Sequence, residues 1–127
     1  MSIVIETKQS GRYIKEYLPL GDTEFADALS KLDGDRTTLF SVMALGNELF
    51  VAGGAGGRYT VTSLMADGTS SALVGDPKAR GEVRLIAGGS WIDQPARYII
   101  DAERALRACR YFAEEGRLDE REIWEQP

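Results

Sequence analysis

The feature that most restricts the fold is a capped amphipathic helix near the C-terminal end of the sequence. Between Asp101 and Gly116, apolar side chains fall at Ala102, Ala105, Leu106, Cys109, Phe112 and Ala113. Spacing of this kind draws one apolar stripe down a helix, and the stripe must be buried against another element. Asp101 is placed to accept from the free N–H groups of the first turn, and Gly116 to take the left-handed conformation that ends the helix. Tyr98-Ile99-Ile100 before it reads as the end of a strand. Ile123-Trp124-Glu125 after it reads as a short strand carrying a tryptophan. None of these residues has the character of a catalyst, so the segment predicts a scaffold that presents a surface.

The remainder of the chain supplies what that helix packs on. Residues 2–6 and 12–18 predict extended segments about a turn at Gly11. Asp22 or Thr23 caps a helix whose buried stripe is Phe25, Ala28, Leu29 and Leu32, and Asp33-Gly34-Asp35 ends it. Thr37 to Ala44 predicts a central strand, because both of its faces carry apolar groups. Leu45-Gly46-Asn47 is turn chemistry, and Glu48 to Ala52 returns as a second strand. Alternation over Tyr59 to Leu64 predicts a third, half-exposed strand; Asp67-Gly68 punctuates, and Ser71 to Val74 and Val83 to Ala87 follow. The order predicts a single α+β domain over residues 1–127, an antiparallel β-meander sheet with two helices packed on one face. A chain of 127 residues buries roughly two thirds of its unfolded surface without staples.

Composition removes several classes of chemistry. The chain has no histidine, which takes away the usual general base, the commonest zinc ligand and every imidazole triad. Its one cysteine, Cys109, lies on the apolar helix stripe and reads as a small core residue. No catalytic residue, metal site or cofactor is therefore expected. A carboxylate-dependent enzyme using Asp33/Asp35 or Glu114/Glu115 is the alternative within enzyme chemistry, and a structural or adaptor subunit is the alternative outside it. The formal net charge of −5 argues against direct nucleic-acid binding and suits attraction of a basic partner. No run approaches the ~18 apolar residues of a membrane helix, and Met1-Ser2-Ile3-Val4-Ile5-Glu6 does not read as a signal peptide. A cytoplasmic location without membrane contact is expected.

Three constellations bear on binding. Gly53-Gly54-Ala55-Gly56-Gly57 leads into Arg58-Tyr59-Thr60-Val61, a strand pattern, so it predicts a hairpin loop and no phosphate cradle. Its glycines, Gly54 and Gly56 among them, would let a partner's backbone come close. Glu114, Glu115, Asp119, Glu120, Glu122 and Glu125 crowd the C-terminal turn and strand, either as a solvated face or as an anionic patch for a basic groove. Trp91 follows Gly88-Gly89-Ser90 in what reads as a polar loop, the setting of an interface anchor, and Asp93 lies two residues on. Of Ile123 and Trp124, one faces the core.

The ending resembles immunity protein family one of bacterial polymorphic toxin systems. In that family a glycine pair, here Gly88-Gly89, precedes a Pro-containing extended stretch, here Gln94-Pro95-Ala96-Arg97-Tyr98-Ile99-Ile100. A helix follows that ends in a Phe and then a Gly, matched by Phe112 and Gly116, and the closing hydrophobic-Trp unit is matched by Ile123-Trp124. The resemblance covers about the last 40 residues. Where the family usually has a proline five residues before the tryptophan, this chain has Asp119. The resemblance implies a small cytoplasmic α+β protein that binds and neutralises a cognate toxin, frequently a nucleic-acid deaminase, by covering its active-site or substrate cleft. Such a toxin brings nucleic acid to a zinc-bound water and a glutamate in a basic cleft. Trp91, Asp93, Glu120, Glu122, Gly54 and Gly56 are the expected toxin-binding residues.

Overall fold

Alternating apolar residues in the middle of the chain build a sheet with two different faces. The computed structural model describes residues 2–9, 12–19, 24–33, 37–87 and 90–127. Strands β1 (Ser2–Gln9), β2 (Arg12–Pro19), β3 (Thr37–Ala44), β4 (Asn47–Gly53), β5 (Tyr59–Leu64), β6 (Ser70–Leu73) and β9 (Trp124–Glu125) form one seven-stranded sheet in the order β2-β1-β3-β4-β5-β6-β9. Every pairing in it is antiparallel. A separate hairpin, β7 (Glu82–Ala87) with β8 (Ser90–Pro95), and two helices, α1 (Glu24–Lys31) and α2 (Ala102–Glu115), complete the α+β fold. The expected helix cap at Asp22 or Thr23, the turn at Gly11, the Gly34-Asp35 stop and the Phe25 side chain lie outside the described residues.

Both helices pack on one face of the sheet. Register places Phe40, Val51 and Val61 in one row and Val42 beside Leu49 in the next. These side chains form the main core with Ala28, Leu29 and Leu32 of α1 and Ala105, Ala108, Cys109, Phe112 and Ala113 of α2. Phe112 is fully buried, and removing its ring would cost about 3–5 kcal/mol. Trp124 packs against the same core and its Nε1 donates to the Asp119 carbonyl at 2.9 Å, while Ile123 points to solvent.

The second face is covered in part by the hairpin, whose β7 packs against β3 and β4. Ser41, Ala52 and Thr60 are buried on that side, and Tyr98 closes over Ala72 and Val74. This corrects the expectation that β5 is half-exposed: Tyr59, Val61 and Ser63 are buried on the helix side and Thr60 is buried on the other, where only Thr62 and Leu64 stay partly open. The chain then crosses the end of the sheet, from the hairpin side to the helix side. Tyr59 and Ile100 exchange backbone hydrogen bonds of 3.0 and 2.8 Å at that crossing. Gly75 donates to the Arg97 carbonyl at 2.6 Å, and a side chain at Gly75 would collide with the Ile99 carbonyl.

Helix α2 is bounded as its sequence dictates. Asp101 Oδ1 accepts from Arg104 N at 2.8 Å, and Gly116 ends the helix at φ 70° with its N–H on the Phe112 carbonyl. The Gly116 carbonyl in turn accepts from Asn47 Nδ2 at 2.9 Å, while Asn47 Oδ1 accepts from Ala66 N at 2.8 Å. One asparagine thereby ties the β3–β4 turn, the end of α2 and the β5–β6 turn together.

Candidate interaction surface

Trp91 belongs to strand β8, which corrects its expected place in a polar loop. Its cross-strand neighbour is Ile86, and Asp93 stands opposite Arg84. The alternate pairs, Leu85 with Ile92 and Val83 with Gln94, turn toward the sheet, where Leu85 is buried. The outer face of the hairpin therefore carries Trp91, Ile86, Arg84 and Asp93 together. Trp91 is 65% exposed. The Arg84 guanidinium lies 5.9 Å from the Trp91 ring centre and its Nε is 3.2 Å from Asp93 Oδ1. Both charged partners are exposed, so the pair adds little stability; it holds the indole in place beside a polar rim. An ordered, solvent-facing tryptophan of this kind is the usual nucleus of a protein interface.

The same side of the sheet is open beyond the hairpin. Met43, Glu48 and Leu64 stand in one register row across β3, β4 and β5. Met43 and Leu64 are each 46% exposed, and in the next row Phe50 and Thr62 are half-buried. The described residues thus present apolar surface on the hairpin side of the sheet at both Trp91 and the Met43–Leu64 row.

The acidic C-terminal segment behaves differently from its sequence. Glu122 is almost enclosed, with Oε2 at 2.6 Å from Arg104 and Oε1 at 3.0 Å from Arg107. Arg104 also donates to the carbonyls of Val74 and Gly75, which fastens β6, α2 and the C-terminal turn to one another. Asp119 is buried with both carboxylate oxygens on Arg121, whose guanidinium holds the carboxyl below its usual pKa. Glu125 accepts from Arg97 and Tyr98, which lower its pKa in that order. Glu120 remains exposed, 3.5 Å from Arg117. The expected free anionic patch is therefore largely a set of internal ion pairs. Next to it, the outer face of α2 is an open groove lined by Glu103, Leu106, Arg107, Arg110, Tyr111, Glu114 and Arg121, a mixture of both signs.

The glycine loop forms a 3-10 turn over Ala55–Gly57. Gly54 is pressed onto the Leu32 carbonyl at the end of α1, so the backbone it admits is the chain's own. Gly56 and Gly57 face open space. The six expected contact residues thus fall in three places. Trp91 and Asp93 are brought together on the hairpin, Glu120 and Glu122 lie on the helix side, and Gly54 and Gly56 sit at the α1 end of the sheet. Sequence reasoning missed Met43, Glu48 and Leu64; an unpaired acid at the start of a strand beside a tight turn was the available signal.

Cys109 is buried in the core, which pushes its thiol up to about 12 and keeps it protonated. No group of three or more metal-ligating side chains is assembled among the described residues, and no helix is long and apolar enough to cross a membrane. The chain matches no protein-family model, and no curated protein is significantly similar to it.

Proposed function

We propose that this chain is an immunity-type inhibitor, a cytoplasmic binding module that neutralises a cognate bacterial toxin by covering its active-site or substrate cleft. The toxin class is a nucleic-acid-targeting deaminase domain, in keeping with the family the ending resembles. The observation that carries the reading is the outer face of the hairpin, where Trp91 stands exposed between Arg84, Ile86 and Asp93. Binding there requires no chemistry from the chain itself. The absence of histidine and the protonated, buried Cys109 agree with that. Asp119 departs from the proline of the resembling family; here its carboxylate accepts from Arg121 N at 3.0 Å and sets the turn by hydrogen bond.

Silencing nearly every toxin molecule demands nanomolar affinity or better, about −12 kcal/mol. Interfaces that reach it bury roughly 1,600 Å² around a few anchors. Net charge of −5 speeds encounter with a basic cleft built for nucleic acid. The test is growth of cells that express the C-terminal domain of the adjacent gene's product, which the reading expects to be toxic alone. Co-expression of the chain is expected to restore growth, and co-purification to yield a stable complex. Continued killing at full expression of both proteins would reject the reading.

A further inference from the structure

From the row Met43–Glu48–Leu64 we infer that this part of the sheet receives an arginine or lysine side chain presented by a basic partner. The inference rests on the reading of the chain as a binding module and names the chemistry its docking face selects. Directly opposed residues in an antiparallel ladder share a face, with Cβ atoms about 5 Å apart. Glu48 is registered with Met43 on one side and with Leu64 on the other, so it stands on the strand between two residues that are each 46% exposed.

Glu48 itself is half-buried and pairs with no cation among the described residues. That sets it apart from the other half-buried acids described: Glu122 is held by two arginines, and Glu125 by an arginine and a tyrosine. An unpaired carboxylate on a half-buried residue flanked by apolar side chains matches a long cationic side chain in both of its parts. The aliphatic stem lies on Met43 and Leu64, and the charged head reaches the carboxylate. Arginine fits best, because its planar guanidinium makes two parallel hydrogen bonds to one carboxylate and sheds water more readily than an ammonium group. The methionine wall adapts to the stem without a fixed rotamer. The row lies on the same side of the sheet as the hairpin that carries Trp91, so one basic surface can engage both.

The test has two arms on the full chain. In the first, a five-residue peptide of alternating leucine and arginine is titrated into protein labelled at backbone nitrogens and methionine methyls. The expected result is saturable movement of the Met43 methyl and of the Glu48 and Leu64 amides, abolished in Glu48→Gln. Movement confined to other acidic sites, equal movement in Glu48→Gln, or equal movement with citrulline in place of arginine would overturn the inference. In the second arm the toxic domain is titrated against wild type, Met43→Ala and Glu48→Arg. Glu48→Arg is expected to weaken binding at least tenfold and Met43→Ala severalfold, with melting temperatures unchanged. Full affinity in Glu48→Arg would overturn the inference while leaving the inhibitor reading intact. A toxic domain that never binds, with the peptide result as expected, would sink the inhibitor reading and leave the cation-receiving row standing. Self-association of the chain through this row, lost in Glu48→Gln, would identify a second copy as occupant and overturn the choice of a basic partner.

Discussion

Asp119 holds the turn between α2 and β9 through its charge. Its two oxygens bind the Arg121 guanidinium at 2.9 and 3.0 Å, one of them also accepts from Arg121 N, and its carbonyl anchors the Trp124 indole. Asp119→Ala is expected to destabilise the chain by about 2 kcal/mol at neutral pH, read from urea unfolding. The pH dependence follows from the lowered pKa. The contribution of Asp119 is complete above the unfolded carboxyl value of about 4 and is lost as pH falls through the lower folded value. Asp67, lowered by Thr69, and Glu125, lowered by Arg97, act in the same direction. The midpoint in urea should therefore fall steeply below about pH 4 in wild type and less steeply in Asp119→Ala. An identical acid profile in the variant would remove Asp119 from this role. In the sequence these residues read as a run of acids countered only by Arg117 and Arg121, and that reading does not show which acid each arginine holds. The arginines that neutralise Glu122 lie 15 and 18 residues away, and the one that meets Glu125 lies 28 away, across a fold that spacing alone does not reveal.

Among the elements, α2 was the most legible because its signals are local. A stripe at helical period, an acceptor at Asp101 and a glycine at 116 fix its length without any tertiary information. Gly116→Ala tests the last of these. It would force a β-carbon into φ 70° and against the Leu45 side chain, and it disturbs the carbonyl that Asn47 grips. An expected loss of about 1–2 kcal/mol is measurable as a lowered melting temperature; an unchanged one would mean the cap is dispensable. Strand β8 was the least legible element. Its six residues carry one proline and two strongly polar side chains, and a glycine pair stands before them, so local composition reads as a loop. What makes it a strand is β7: pairing turns Ile92 inward with Leu85 and leaves Trp91 and Asp93 outside. The expected half-exposure of β5 failed for a related reason. Alternation was correctly read, but Thr60 on its polar side is buried by the tertiary fold, while Thr62 and Leu64 of the same side stay partly open.

At the scale of the whole molecule, two sides of one sheet do different things. The helix side encloses the main core and carries a stitched surface of arginine–glutamate pairs that hold the C-terminal segment in place. The hairpin side is covered only in part and shows Trp91 and the Met43–Leu64 row to solvent, on a chain of net charge −5. The layering of helices on an antiparallel meander was readable from the order of elements. The division of labour between the sides was not, since it depends on where the hairpin folds back. The central claim is that the chain acts by docking this side on another protein, with Trp91 at the centre of contact. Calorimetric titration of the purified toxic domain with wild type and with Trp91→Ala tests it most directly. The account predicts nanomolar binding by wild type, a loss of at least 2 kcal/mol, about thirtyfold, in the variant, and equal melting temperatures for the two proteins. Equal affinity of wild type and Trp91→Ala for the toxic domain would contradict it.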